Sequence, residues 1–251
     1  MRDRIIIILY TLLFANLLLA QVNIESVRKT DLKEGMNGSI LINLKYAAGN
    51  TEYIIFNPEL RFDYVKKSYH TFIIGSINRG EESEKIFIDE GFLHWRCILH
   101  HNNIIAPEFF AQIEYNDFIK LENRNLAGTG VRIVCKEIEK KFRLHAGIGL
   151  MYEYENYNDP AEGTKRLFRS TNYIAVVWNM NERIFFNLTG YYQPAIKEVS
   201  DFRILIANSI HLSLSQLISI KISLDYRFDN RPPPAIKKYD LGISNGIIFS
   251  F

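Results

Sequence analysis

Residues 217–228 read LISIKISLDYRF, and their side chains sort by parity. Ile218, Ile220, Ile222, Leu224, Tyr226 and Phe228 fall on one face of an extended chain, and Ser219, Lys221, Ser223, Asp225 and Arg227 on the other. That is the period of a strand and not of a helix. Residues 141–155, KFRLHAGIGLMYEYE, sort the same way, with Phe142, Leu144, Ala146, Ile148, Leu150, Tyr152 and Tyr154 against Arg143, His145, Met151, Glu153 and Glu155. Weaker versions recur at 39–46, 56–64 and 202–214, while the stretches near 68–78, 84–100 and 164–180 alternate poorly.

The runs are about ten to fourteen residues long, twice the length of a usual globular strand. A strand tilted about 45° crosses a bilayer in roughly 9–11 residues, so length favours a transmembrane barrel over a soluble sandwich. The apolar parity then faces lipid and the polar parity the interior. Turn signals divide the chain into about twelve segments, near 38–48, 51–64, 68–78, 84–100, 105–120, 124–139, 141–157, 164–180, 182–193, 201–214, 216–228 and 237–251. Connections in the second half alternate short and long, as in barrels with tight turns on one side and larger loops on the other. The predicted fold is all-β, a closed antiparallel transmembrane β-barrel of about 12 strands.

The two ends of the chain agree with this. Residues 1–20, MRDRIIIILYTLLFANLLLA, place Arg2 and Arg4 before an apolar run and end on a small residue, the layout of a cleavable secretory signal. Residues 21–37 are then a periplasmic N-terminal segment and 38–251 the barrel, integral to the outer membrane. At the other end YDLGISNGIIFSF stops on Phe251. The tail resembles the C-terminal assembly signal of outer-membrane barrels through Ser244, Gly246, Phe249 and Phe251. That resemblance implies the barrel assembly machinery as a partner, by strand addition. A closed barrel also gives the apolar tail a place, because the last strand pairs with the first.

Composition narrows the function classes. Hydrophobic residues make up 47% of the chain and the net charge is only +2, which argues against a nucleic-acid partner. Outer-membrane lipid and small solutes are the expected partners. Cys97 and Cys135 fall in segments with another strand between them, too far apart for a disulfide. Polar parity predicts a lumen lined by Arg61, Glu114, Arg132, Arg143, Glu153, Arg203, Lys221, Asp225 and Arg227, together with Glu59, Asp63, Lys136 and Glu155. These charges either neutralise one another across a filled barrel or line a narrow pore, and the function expected is a narrow pore for small solutes or a structural envelope protein. A twelve-stranded barrel lies between the two cases.

The competing class is an outer-membrane lipid-modifying enzyme, which needs a serine and its histidine base on the lipid side. His94, His145 and His211 instead take the lumen parity, and no lipid-facing pair emerges. His100 and His101 are consecutive and would point to opposite faces of a strand, a poor metal pair. No catalytic, cofactor-binding or metal-binding residues and no cofactor are expected. Gly128, Gly130, Gly147 and Gly149 have no helix after them to make a phosphate site, and act as packing or curvature devices on the lumen side.

The segments VNIESVR, GSILINLKYAAGNTE, RNLAGTGVRI and LHAGIGLMYEYE, in that order, resemble a family of salt-induced outer-membrane proteins of unknown function. The resemblance implies an outer-membrane barrel and carries over no activity or binding residues.

Overall fold

A computed structural model describes residues 32–47, 53–82, 85–100, 104–139, 141–159, 162–234 and 236–251. The expected signal at 1–20, most of the segment 21–37, most of the AAGN turn and His101 lie outside the described residues. The chain forms β1 (Gly35–Ala47), β2 (Tyr53–Val65), β3 (Tyr69–Glu82), β4 (Lys85–Leu99), β5 (Ile105–Asn116) and β6 (Leu121–Ile138). It continues through β7 (Phe142–Tyr157), β8 (Thr164–Asn179), β9 (Ile184–Pro194), β10 (Phe202–Ser213), β11 (Ile218–Asp229) and β12 (Tyr239–Ser250). Each strand pairs antiparallel with its neighbours in sequence, and β12 returns to β1, closing the barrel.

The alternation seen in the sequence is the wall of this cylinder. On β11, Lys221 and Arg227 are buried inside while Ile222 is 53% exposed outside. On β7, Glu153 and Glu155 are buried and Ile148 is 60% exposed. A soluble protein puts its polar face outward. Here the exposed face is apolar and the buried one polar, so hydrocarbon is the outer solvent. The connections 66–68, 180–183 and 214–217 are short and lie at the end that carries Phe251, whereas 158–163, 195–201 and 230–238 are long and lie at the other. The Phe251 end is therefore the periplasmic one.

Closure is local at that end. Gly38 N–H donates to the Phe251 carbonyl at 2.7 Å, and Phe251 N–H to the Gly38 carbonyl at 3.0 Å. The Phe251 ring lies against Gly38, where a Cβ would meet it at 2.2 Å, and stands edge-on to Phe62 with centroids 6.4 Å apart. The bare Gly38 seats the terminal aromatic on the outside of the wall.

One lumen expectation is overturned. The β6–β7 register shifts between Val134 and Lys136, so Lys136 pairs with Leu144 of the outward face. Lys136 is exposed and does not line the interior. A bulge inserts one residue and reverses parity beyond it.

Candidate functional site

The buried polar side chains of the lumen gather in two groups. The group toward the outer end is built on Glu153 of β7, which is 1% exposed. It accepts from Arg169 Nε of β8 at 2.7 Å and from Arg203 Nη1 of β10 at 2.8 Å, and it pairs with Arg124 of β6. Arg203 also donates to Glu155 Oε1 and to Asp229 Oδ2 of β11, each at 2.8 Å. Arg169 reaches Asp201 in the 195–201 loop at 2.9 Å. Arg124 Nη1 lies 3.5 Å from Glu114 of β5, and Tyr157 donates to Glu155 at 3.1 Å. These residues come from strands on several sides of the barrel, so the network crosses the lumen rather than lining it. Its charges alternate in sign, which is the condition for keeping buried ions charged.

The second group sits toward the periplasmic end. Arg61 holds Asp63 by two bonds, Nε to Oδ2 at 2.8 Å and Nη2 to Oδ1 at 2.6 Å. His70 Nε2 lies 2.8 Å from the same Oδ1. The Arg61 guanidinium stands 4.1 Å above the Phe72 ring. Stacking continues from Phe72 to His94 and from His94 to Phe110. Arg96 lies over Phe110 and 3.5 Å from Glu108, to which Tyr173 donates at 2.8 Å. Between the groups is a cavity of about 30 Å³ bounded by His94, Phe110, Gln112, Met151, Tyr191 and Leu205, room for one or two waters.

Arg61, Glu114, Arg132, Glu153, Arg203, Lys221 and Arg227 are all buried on the inward face. Asp225 and Arg143 take the same parity but are half-buried, Arg143 near the periplasmic rim. The structure brings Glu114, Glu153, Arg203 and Arg227 into the outer network and leaves Arg61 in the lower group. Lys221 and Asp225 belong to neither. On β12, Phe249 is exposed outward, as Phe251 is beyond it, while Ser244 and Gly246 face inward.

The glycines serve packing. A Cβ on Gly147 would meet the Tyr173 ring at 2.0 Å, and one on Gly128 the Phe110 ring at 2.4 Å. Gly130 and Gly149 are partners across β6 and β7. Cys97 and Cys135 are both free. Among the described residues no group of three His, Cys, Asp or Glu could hold a metal ion, and no helix is long and apolar enough to cross a membrane.

Sequence reasoning missed Arg124 and Arg169, two arms of the outer network. Arg124 is the first residue of the assigned segment 124–139 and shares the parity of Arg132, but it was not read as lumen-facing, and Arg169 sits in the poorly alternating β8. It also missed the contact of Ser209 Oγ with His211 Nε2, 3.1 Å apart on one strand, although their spacing of two on a recognised lumen face would have found it. Above the barrel, Arg231 clamps Glu198 through Nη1 at 2.7 Å and Nη2 at 2.5 Å, and Asn230 donates to the Ser200 carbonyl at 2.6 Å. The Arg231 hydrogen bonds hold the Glu198 carboxyl below its usual range, and Glu198 raises Arg231 in turn.

The model of the family described as "Protein of unknown function, DUF481" matches residues 42–251, and the chain belongs to that family. No curated protein matches it. Among solved structures it is similar to an outer membrane channel from Pseudomonas putida F1, with a TM-score of 0.55 at 9% identity, covering 88% of this chain and 97% of that one. It is similar also to the NanC porin, with a TM-score of 0.52 at 9% identity, covering 86% and 98%. At such identity the likeness concerns the fold. The protein is an outer-membrane β-barrel of an uncharacterised family.

Proposed function

We propose that this member of the DUF481 family is a narrow pore for small polar solutes and not an enzyme. The observation that carries the reading is that the polar inner wall is not sealed all the way round. Asn57, Glu59 and Asp225 keep partial contact with solvent on the inward face, while the two ion-pair groups fill the rest. A wall of that kind admits water and small hydrated solutes and excludes large ones. The names of the two channel-like neighbours agree with this reading.

The enzymatic alternative has less support. Ser209 and His211 are within hydrogen-bond distance, but both are buried and the imidazole is stacked against Phe185 with centroids 4.2 Å apart, which leaves an acyl chain no approach. We also assign Ser244, Gly246, Phe249 and Phe251 to recognition by the barrel assembly machinery through strand addition. Refolded protein in planar bilayers should give small discrete conductance steps. Silent bilayers from a preparation that is folded by its boiling-dependent mobility would discard the pore. Release of acyl chains from outer-membrane lipid, absent from heat-inactivated protein, would favour the enzyme.

A further inference from the structure

The lumen is filled unevenly. On β7, β8 and β10 the inward side chains are buried, as with Met151, Glu153, Tyr173, Thr171, Leu205 and Ser209. On β1, β2, β11 and β12 several inward side chains are only half-buried, among them Asn43, Asn57, Glu59, Asp225 and Ser244. β12 contributes Gly242, Ser244 and Gly246 in succession to this side, so little projects from it into the interior. Small residues alone do not make a passage. Two independent observations at the same place add to them.

The first is the seam. β12 pairs with β11 at every position from Tyr239 to Phe249, but with β1 only at Ile247, Ile248, Phe249 and Ser250. β1 stays paired with β2 through Ala47. Above Ile42 and Ile247 the two strands that close the barrel therefore run on without pairing to each other. Backbone amides and carbonyls at membrane depth need hydrogen bonds, and unpaired ones are tolerated where they border protein or a water-filled space.

The second is Lys221. It is 8% exposed and lies opposite Gly246, the first position above the paired part of the seam. Its ammonium makes no hydrogen bond or ion pair with any described side chain, in contrast to the arginines of the outer network. Asn43 Oδ1, which lies where a Gly246 side chain would stand, is likewise buried without a partner. A lysine at such low exposure, with no hydrogen-bond acceptor and only the longer-range charge of Asp225 to balance it, calls for water at its ammonium.

We propose that a hydrated lane runs along the inner side of the β1–β12 seam, away from the barrel axis, and that small ions and polar solutes pass through it, sorted by Lys221 against Glu59 and Asp225. The proposal rests on the pore reading and adds its path and its charge-sorting residues. One lane accounts for the unpaired seam, the lysine without a hydrogen-bond acceptor and the open inner wall together.

The test uses full-length refolded protein in lipid vesicles with Cys97 and Cys135 replaced by alanine. Single cysteines at Asn57 and Ser244 should react with a membrane-impermeant charged methanethiosulfonate, and single cysteines at Thr189 and Ser209 should not. Boiling-dependent mobility checks that each variant is folded. In a salt gradient, Lys221→Met should move the reversal potential toward cation preference, Asp225→Asn should move it toward anion preference, and Lys221→Arg should leave it near the parent value. Equal labelling of both walls, or labelling of Thr189 and Ser209 alone, would overturn the lane. Unchanged reversal potentials in both neutralised variants would overturn the sorting role. A labelled lane with no current in any variant would overturn the pore reading while upholding the hydrated lane.

Discussion

Gly147 and Tyr173 show how the interior is held at the scale of single residues. The Tyr173 ring occupies the space a Gly147 side chain would need, packs on Tyr191 with centroids 5.2 Å apart and donates to Glu108. Gly147→Val forces the ring out of a close-packed site, an overpacking that costs about 1–3 kcal/mol. Urea unfolding of the refolded barrel should show a lower midpoint, and an unchanged midpoint would refute this packing role. Glu153 carries more. Glu153→Ala leaves Arg124, Arg169 and Arg203 without their shared acceptor, and loss of one partner from a buried ion pair costs roughly 3–5 kcal/mol. The same unfolding measurement should place Glu153→Ala well below Lys221→Met, which removes no ion pair. At the loops, Arg231 holds Glu198 below its unfolded value, so the clamp is intact above the ordinary carboxylate range and is lost as pH falls through the lowered folded value. Both groups are exposed, so the effect is local and weakens with salt. Amide protection factors in 196–200, taken relative to the intrinsic exchange rate at each pH, should fall in acid and stay high at neutral pH, and pH-independent protection factors would refute the clamp.

Among the elements, β7 and β11 were legible from sequence because their inner faces are polar and their outer faces apolar. β3, β4 and β8 were not, and the structure shows the physical reason. Their inward positions include Phe72 and Ile74, Ile98, and Tyr173, Ala175 and Val177, while Ser170 and Asn172 stand on the outer side of β8. Apolar residues on both faces erase the period of two, since an inner wall packed around rings has no need to be polar throughout. The β6 bulge, which turns Lys136 outward, left no mark that parity could read. The last strand was legible in its apolar face and its terminal aromatic, but its partner Gly38 was not, because a glycine announces space without saying what fills it. Removing the Phe251 ring, by Phe251→Ala, should weaken the short β1–β12 closure, and Gly38→Val should do the same by displacing the ring. Both should lower the fraction of protein whose mobility changes on boiling. Wild-type behaviour in both would show that the ring has no part in closure.

For the whole molecule, alternation and length sufficed for a closed transmembrane barrel of about twelve strands, because the hydrophobic effect acts on every second residue of every wall segment. How the lumen is filled was not legible. Parity names the residues that point inward, but which arginine meets which carboxylate depends on the relative heights of strands far apart in sequence. Arg203 meets Glu153 and Glu155 from three strands away. The same staggering leaves Lys221 beside the seam with no hydrogen bond or close ion pair to a described side chain. Fold and lumen alike depend on hydrocarbon surrounding the apolar face of the barrel. The most direct test is electrophoretic mobility, with and without boiling, of protein taken from the outer-membrane fraction. A compact species that shifts only on boiling is the predicted result, and a protein that stays dissolved and monomeric without detergent, with one mobility throughout, would contradict it.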